Sequence, residues 1–297
     1  MSGHTQTIER LTVIGVGLIG GSLARALRRA HACGHIIGCG RNVANLERAV
    51  ELGVIDSFSL DPGTAVENAD MVVFATPLSA YADLFAAVSG KLSATATITD
   101  AGSVKGSVVQ CARTSLSPAE YARFVPGHPI AGTEQSGVEA SFETLFDNRL
   151  VILTPDNNVE PSHVQRVTDM WRSAGAGVVN MGIDHHDNIL AATSHLPHLL
   201  AYALVDCLAG MQDSGEIFKY AAGGFADFTR IASSSPRMWA DICFANREQV
   251  LDRLGDFDAY LLDIRSAIEA NDVAALLEIF SRAKQARDTF LDLKKQH

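Results

Sequence analysis

The sequence is poor in basic residues compared with acidic ones. Its 297 residues contain 24 Lys and Arg against 34 Asp and Glu, which gives a formal net charge of -10. Nucleic acids and anionic membranes bind basic surfaces, so this balance argues against both as partners. An anionic small molecule would have to be held by a few local cations.

The sequence also lacks paired cysteines, a secretion signal and an uninterrupted apolar run. Its five cysteines are scattered and form no C-x-x-C pair, which is typical of reduced thiols. The first ten residues show no basic-then-apolar signal pattern. Glycines and polar residues interrupt the apolar segment 11–26, which argues against a membrane span. We therefore expect a cytoplasmic protein without a membrane partner.

Two regions of different periodicity divide the chain. Over residues 1–182, short apolar runs alternate with amphipathic helical patterns, which predicts an α/β fold with a doubly wound parallel sheet. Residues 183–297 show a period near 3.6 and no strand signal, so we predict an all-helical domain. Its helices are apolar enough to form a homodimer interface or to pack on one another. The predicted strands are LTVIGVG, HIIGCG, MVVFATP and TATITDAGS, with RLVILTP and GVVNMG expected to complete the same sheet.

A glycine-rich turn joins the first predicted strand to the first predicted helix. Gly15, Gly17 and Gly20 form a G-x-G-x-x-G string at this junction. Gly15 permits a tight turn, Gly17 lets a pyrophosphate approach the backbone, and Gly20 lets the helix pack closely on the strand. The helix N-terminus at Leu18 and Ile19 offers free N–H groups to phosphates. We predict a dinucleotide cofactor here.

Arg41 follows the second predicted strand, where NAD sites carry an acid for the ribose 2′-hydroxyl. An Arg can pair with a 2′-phosphate, so we favour NADP. NAD is the alternative if Arg41 is only a solvated side chain. Thr76 and Pro77 follow a later predicted strand, and we expect them to lie along the cofactor.

His128 lies between Gly127 and Pro129 in the segment GHPIAGTEQSG, which we predict to be a stiff turn. A histidine held rigidly can act as an acid or a base near neutral pH. Ser103 follows another predicted strand on the same rim, so we expect it to hydrogen-bond the ring and fix its tautomer. The alternative is a turn residue without chemistry.

Several histidines lie near the start of the helical region. His195 and His198 are spaced to share a helix face, although Pro197 interrupts it. They either face a pocket or only begin a helix, and without a third ligand they make a poor metal pair. His185 and His186 are expected to be solvated residues at a helix start.

Arg230 lies in the apolar string FADFTRIA, just after Gly223 and Gly224. A buried Arg is rare unless it meets an anion, so we expect Arg230 to hold an anionic substrate. A structural salt bridge to Asp227 or to another acid is the alternative.

Taken in order, these motifs resemble those of the prephenate/arogenate (cyclohexadienyl) dehydrogenase family of tyrosine biosynthesis. The resemblance extends over nearly the whole chain. It implies an N-terminal Rossmann domain with a C-terminal all-helical dimerisation domain. It also implies oxidative decarboxylation of prephenate or arogenate with hydride transfer to NADP or NAD, and no metal. The strings that carry it are GVGLIGGSLARAL, DAGSVKG, GHPIAGTEQSGVEAS, SHLPHLLAYALVD and GGFADFTRIASSSPRMWADI.

The resemblance implies roles for the matching residues. His128 would bind the ring 4-hydroxyl and help to remove its proton, and Ser103 would orient that histidine and the substrate. Arg230 would hold a substrate carboxylate. Some relatives carry a Lys where this chain has Ala226, which leaves the choice between prephenate and arogenate open. The residues expected to line or border the substrate pocket are His198, Thr133 and Glu134.

Two other interpretations stay open. A β-hydroxyacid dehydrogenase would be expected to place a catalytic Lys in a G-x-x-x-K-like setting in the second domain, and the sequence has no such string. A pyrroline-carboxylate reductase is a further rival of similar architecture. A non-catalytic dinucleotide sensor would need the glycine turn but not His128, Ser103 and Arg230 together.

Overall fold

The computed structural model describes residues 8–295 of the chain. The first seven residues, on which much of the predicted absence of a secretion signal rests, lie outside this range. Nine strands run through the described part. They are β1 (Ile8–Ile14), β2 (Cys33–Cys39), β3 (Ser57–Ser59), β4 (Met71–Phe74), β5 (Thr97–Asp100), β6 (Phe124–Val125), β7 (Gly127–Pro129), β8 (Leu150–Leu153) and β9 (Gly177–Asn180).

Six of these strands form one parallel sheet in the order β3-β2-β1-β4-β5-β6. Their apolar runs are buried on both faces, as all-parallel sheets require: all four residues of β4 are buried. The strand order reverses between β1 and β4. Ligands of doubly wound folds bind in the crevice at such a switch point, outside the carboxyl ends of the strands. The predicted α/β architecture is confirmed.

Helices connect the strands and cover the sheet. The first, α1, turns Leu23 and Leu27 into the core and keeps Arg28 and Arg29 in its last turn, where they complement the helix dipole. A second cluster packs Phe85 against Phe74 and Phe124. The helices of this part are α1 (Leu18–Arg29), α2 (Val43–Glu51), α3 (Pro62–Ala65), α4 (Tyr81–Val88), α5 (Lys105–Ser115), α6 (Pro118–Tyr121) and α7 (Pro161–Ser173).

The remaining three strands form a separate sheet in the order β7-β8-β9. The prediction that RLVILTP and GVVNMG complete the large sheet is therefore wrong. Pro126 separates β6 from β7, and its carbonyl accepts a hydrogen bond from the Thr154 backbone N–H (2.9 Å). After this break β7 pairs antiparallel with β8, placing His128 opposite Ile152. His128 thus lies in a short strand, not in the predicted turn.

The rest of the described chain is helical, as predicted. Two of its helices are joined by a π-helical turn at Ala191–His195. This turn immediately precedes Pro197, which has no N–H to donate to a regular helix. The helices are α8 (Ile183–Leu190), α9 (Leu196–Ala209), α10 (Ser214–Lys219), α11 (Gly223–Thr229), α12 (Pro236–Ala245), α13 (Arg247–Glu269) and α14 (Val273–Lys295).

The described chain forms two compact units that divide between Arg247 and Glu248. The first holds both sheets and the helices through α12. The second consists of almost all of α13 together with α14. Within the described residues, no helix is both long enough and apolar enough to cross a bilayer. All five cysteines are free thiols, as predicted.

Candidate active site

The glycine turn between β1 and α1 is closed on two sides and open on the third. A Cβ at Gly15, whose φ is +99°, would lie 2.3 Å from the carbonyl oxygen of Ala75. A Cβ at Gly20 would lie 2.2 Å from the carbonyl oxygen of Gly15. A Cβ at Gly17, in contrast, would meet nothing within 4 Å. The open side at Gly17 is where a ligand can approach the backbone.

The surroundings of this turn fit a dinucleotide. Leu18 and Ile19 form the first turn of α1, whose N–H groups have no partner within the helix. Thr76 Oγ1, just past β4, is buried and meets no hydrogen-bond partner within the described residues. Pro77 follows it, and Arg41 is exposed two residues beyond the end of β2. These residues place an open backbone turn, a hydroxyl without a partner in the described chain and a cation near the same sheet edge.

A buried ion pair connects the ends of β5 and β7. Lys105 Nζ lies 2.5 Å from Asp100 Oδ2 and 2.6 Å from the carbonyl oxygen of Gly127, and both charged side chains are fully buried. Asp100 Oδ1 also accepts from the Gly127 N–H (3.0 Å). Both backbone groups of Gly127 are therefore fixed by the pair. This holds β7, and with it His128, at the edge of the large sheet.

His128 contacts a second histidine at its Nδ1 atom. His128 Nδ1 lies 2.9 Å from His186 Nε2, and His186 Nδ1 lies 2.7 Å from Asp187 Oδ1. The carboxylate of Asp187 also accepts from the backbone N–H groups of Lys105 and Gly106, each at 2.8 Å. Asp187 therefore connects the N-terminus of α5 to the histidine pair.

The pKa values of this group favour a neutral base next to an ionised acid. Burial lowers the pKa of His128 well below its ordinary value, and the Lys105 ammonium acts in the same direction. Burial alone would raise the pKa of Asp187. Hydrogen bonds from His186, Lys105 and Gly106 outweigh that effect and lower it. At neutral pH, the His128 ring is therefore uncharged.

The two predicted histidines of the helical region lie on either side of Trp239. His198 stacks on the Trp239 ring with centroids 3.6 Å apart, and the buried His195 meets the ring edge at 6.2 Å. Asn246 Nδ2 lies 3.1 Å from His195 Nδ1 and donates to the backbone carbonyl of Asp187 (2.8 Å). Burial lowers the pKa of His195 to about 4 and lowers that of His198 as well.

Arg230 is not buried, so that expectation is wrong. Its side chain is 65% exposed and forms an ion pair with Glu134, which agrees with the alternative of a salt bridge to an acid other than Asp227. The string FADFTRIA covers the end of α11, which buries no side chain, and Arg230 begins the 3-10 turn that follows. Arg230 is near enough to His198 to lower its pKa, although burial is the larger cause. The guanidinium thus lies at the open side of the histidine cluster.

Ser103 does not hold His128 as predicted. Within the described residues its hydroxyl makes no hydrogen bond, and the Nδ1 partner of His128 is His186. Ser103 is half-buried between β5 and α5, so its hydroxyl is unengaged at the sheet edge. Thr133 is exposed beside Glu134, and its Oγ1 accepts from the Gln135 N–H (3.3 Å).

Comparison with known families covers most of the chain. The family model described as the nucleotide-binding domain of prephenate dehydrogenase matches residues 23–180. The model of the prephenate dehydrogenase dimerization domain matches residues 183–282. The chain belongs to the prephenate dehydrogenase family. This confirms the family predicted from the sequence, together with the Rossmann-type sheet and the helical C-terminal part.

Individual members of the prephenate dehydrogenase family resemble the chain over almost its full length. The cyclohexadienyl dehydrogenase of Zymomonas mobilis is 38% identical over 293 residues, which is 97% of each chain. The prephenate dehydrogenase of Bacillus subtilis is 36% identical over 285 residues, 95% of this chain and 76% of its own. The structure of A. aeolicus prephenate dehydrogenase in complex with hydroxyphenyl propionate and NAD+ matches with a TM-score of 0.89. It is 36% identical and covers 96% of this chain and 99% of its own.

Four residues of this candidate site were missed or misjudged from the sequence. His186 was expected to be solvated, but it is wholly buried. Its neighbour Asp187 and the distant Asn246 were not singled out, and no local pattern marks them. Lys105 lies in the string DAGSVKG, whose charged residue after a strand end is the signal that could have found it.

Proposed function

We propose that this chain oxidises and decarboxylates prephenate, arogenate or both, using NAD+ or NADP+ as hydride acceptor. The observation that carries the proposal is the partly buried, neutral His128 at the edge of a dinucleotide-type sheet, in a chain of the prephenate dehydrogenase family. We infer a division of labour in which residues 1–182 bind the dinucleotide and residues 183–297 supply substrate contacts and the homodimer interface. We expect the enzyme to act in the cytoplasm.

The cofactor would lie on the open side of the glycine turn. Gly15, Gly17 and Gly20 form that turn, and the N–H groups at Leu18 and Ile19 would face the pyrophosphate. Thr76 Oγ1, a buried hydroxyl without a partner in the described chain, would find an acceptor or donor in the cofactor, with Pro77 beside it. When bound, the oxidised nicotinamide supplies the acceptor for the hydride that leaves C4 of the substrate.

His128 would act as the base. The proton of the substrate 4-hydroxyl passes to the ring nitrogen of His128 that does not face His186, so an O–H bond breaks as an N–H bond forms. Hydride departs from C4, and the C–C bond to the ring carboxylate then breaks. Its electron pair enters the ring as CO2 leaves. Ser103 would orient the substrate hydroxyl, and the chain contributes no metal to the step.

The substrate carboxylates would be held at the open side of the histidine cluster. Arg230 would bind one carboxylate, which must replace or share the contact with Glu134. His198 and His195, fixed around Trp239, would form the wall of the pocket, and Thr133 would border its mouth. With a net charge of -10, this local cation has to overcome an unfavourable background field.

Arg41 leads us to favour NADP over NAD. It is exposed past β2, where an acid would repel a 2′-phosphate and an Arg can pair with it. Replacing Arg41 with Gln should weaken the binding of NADP more than the binding of NAD.

An initial-rate assay tests the proposal directly. Purified protein is mixed with prephenate or arogenate, each with NAD+ or NADP+, and reduced nicotinamide is followed by absorbance. Turnover in at least one pairing is expected, and the fastest pairing identifies both the substrate side chain and the cofactor. Protein that binds a dinucleotide but turns over in none of the four pairings would contradict the proposal and favour a non-catalytic sensor.

A further inference from the structure

His186 connects the candidate base to a buried carboxylate. It is wholly buried on α8, and both of its ring nitrogens are used: Nε2 faces His128 and Nδ1 faces Asp187. A buried histidine needs only satisfied nitrogens, which backbone groups could provide. Here the partners are instead a second imidazole and an ionised acid. The side chains of His128, His186 and Asp187 thus form a hydrogen-bonded row, which begins at the edge of the large sheet.

The direction of each hydrogen bond in this row follows from the carboxylate. An ionised carboxylate only accepts hydrogen bonds, so His186 Nδ1 must carry the proton and donate it. With its ring proton on Nδ1, His186 has a bare Nε2, which only accepts. His128 Nδ1 must therefore be the protonated nitrogen of its ring, and its Nε2 must be bare. The row leaves one tautomer of His128, in which the nitrogen away from His186 is the proton acceptor.

The backbone fixes the far end of the row. Asp187 accepts from the N–H groups of Lys105 and Gly106, so it cannot turn away without uncapping α5. Asn246 donates to the backbone carbonyl of Asp187. Within the described residues, the titratable groups whose charge acts on His128 are His186, Lys105 and His195, and only His186 hydrogen-bonds its ring.

We propose that His186, anchored by Asp187, is the positioning residue that presents Nε2 of His128 as the proton acceptor. When His128 takes up the substrate proton, its Nδ1–H can still donate to His186, and the Asp187 charge stabilises the imidazolium. The inference rests on the proposed function, because it explains why the base in that reaction has the right tautomer.

Two substitutions at His186 separate positioning from packing. In His186→Asn the amide can still donate to Asp187, but it is too short to reach His128. In His186→Gln the longer side chain can place its carbonyl oxygen where Nε2 was and accept from His128 Nδ1–H. The matched control is His185→Asn, the same change at the exposed neighbouring position of α8.

Steady-state kinetics give the first readout. We expect His186→Asn to lower kcat by about 10- to 100-fold, with KM and the dinucleotide Kd within about twofold of wild type. His186→Gln should recover a large part of kcat, and His185→Asn should match wild type. A kcat for His186→Asn equal to that of His185→Asn would overturn the proposal, as would equal losses in the Asn and Gln variants.

The tautomer of His128 gives the second readout, which needs no turnover. In protein with 15N-labelled histidine, the His128 signals are assigned by their loss in His128→Asn. Wild type should show a protonated Nδ1 and a bare Nε2, and His186→Asn should shift the ring toward the Nε2–H form. Wild-type His128 in the Nε2–H form, or no change in the variant, would refute the proposal. If wild type oxidises neither substrate, the proposed function fails while this measurement still decides the positioning role.

Discussion

At the scale of single residues, the site depends on what surrounds each titratable group. Two histidines within hydrogen-bond distance of each other, His128 and His186, differ in surroundings, because His128 is partly exposed and His186 is enclosed next to Asp187. A third, His195, is kept neutral by burial, which lowers its pKa to about 4. Function at this scale is a matter of placement, since all three side chains are chemically identical.

The replacement His128→Asn tests the base. Asn keeps a polar side chain in β7 but cannot take up a proton, so kcat should fall by at least about 100-fold. The proposed dinucleotide site is the glycine turn, which this change should leave intact. Steady-state rates give kcat, and fluorescence titration with the reduced cofactor gives its Kd. Retention of near-wild-type kcat would remove His128 from the mechanism.

The pH dependence of kcat/KM follows from the same residue. The base must be neutral to act, and burial lowers the pKa of His128 well below that of an ordinary histidine. Protonation therefore begins only well below pH 6.5, so kcat/KM should change little between pH 8 and 6.5 and decline at lower pH. Initial rates in buffers of constant ionic strength measure this profile. An acid limb with its midpoint above pH 7 would contradict it.

Acid also lowers the free energy of unfolding, and this effect must be separated from the fall in kcat/KM. The pKa of His195 is lower in the folded state than in the unfolded state, so the unfolded chain takes up the proton first as the pH falls through about 6.5. The stability that His195 contributes is then lost progressively toward pH 4. Circular dichroism at each pH, and full recovery of activity on return to pH 7.5, identify a reversible titration of the active site.

The replacement Arg230→Gln tests the substrate contact. The side chain is exposed and its ion pair with Glu134 is worth little to stability, so Tm should hardly change. Loss of the charge should raise KM for prephenate or arogenate by about 10- to 100-fold and affect kcat less. Arg237→Gln is the control, an exposed Arg paired with Asp241 on α12. Equal KM values for the two variants would argue against the assigned role.

At the scale of secondary-structure elements, the sequence predicts best what the backbone itself imposes. The β1–α1 turn was predictable because positive φ at Gly15 and the close approach at Gly20 demand glycine in a fixed pattern. The burial of His186 was not predictable, because it depends on α8 packing near α5. There Asp187 accepts hydrogen bonds from Lys105 and Gly106, which lie about 80 positions earlier in the chain. Nor was β7, a three-residue strand whose register is set by β8.

Two glycines of one turn should respond differently to the same change. A Cβ at Gly17 meets nothing within 4 Å and its φ of -108° suits any residue, so Gly17→Ala should fold with nearly unchanged Tm. Its methyl group would occupy the space where we place the pyrophosphate, so dinucleotide Kd should rise at least about 10-fold.

The control for this comparison is Gly20→Ala, whose Cβ would lie 2.2 Å from the carbonyl oxygen of Gly15 and 2.8 Å from Val13 Cγ1. That variant should lose cofactor binding, and its free energy of unfolding should also fall by about 1–3 kcal/mol. Thermal melts and cofactor titrations on both proteins measure the contrast. If Gly17→Ala bound the dinucleotide as wild type does, the cofactor would have to approach elsewhere.

At the scale of the whole molecule, net charge and apolar surface act in opposite directions. A net charge of -10 keeps copies of the chain apart. The second compact unit nevertheless exposes large apolar side chains on both of its helices, among them Tyr260 (61%), Leu262 (61%), Leu277 (65%) and Phe280 (55%). Groups of large exposed apolar side chains are typical of interaction sites, and the family model that matches residues 183–282 is described as a dimerization domain.

We therefore expect a homodimer that depends on α14. Leu277 and Phe280 are one turn apart and share a face, so replacing both with Glu would bring like charges together across a two-fold interface. Sedimentation velocity should show wild type as a dimer at micromolar concentration and the double variant as a monomer. Thr289→Glu adds a charge to the opposite side of α14 from Phe280 by helical spacing and should stay dimeric. A dimeric double variant would mean that the exposed face of α14 is not the interface, and that another surface holds the copies together.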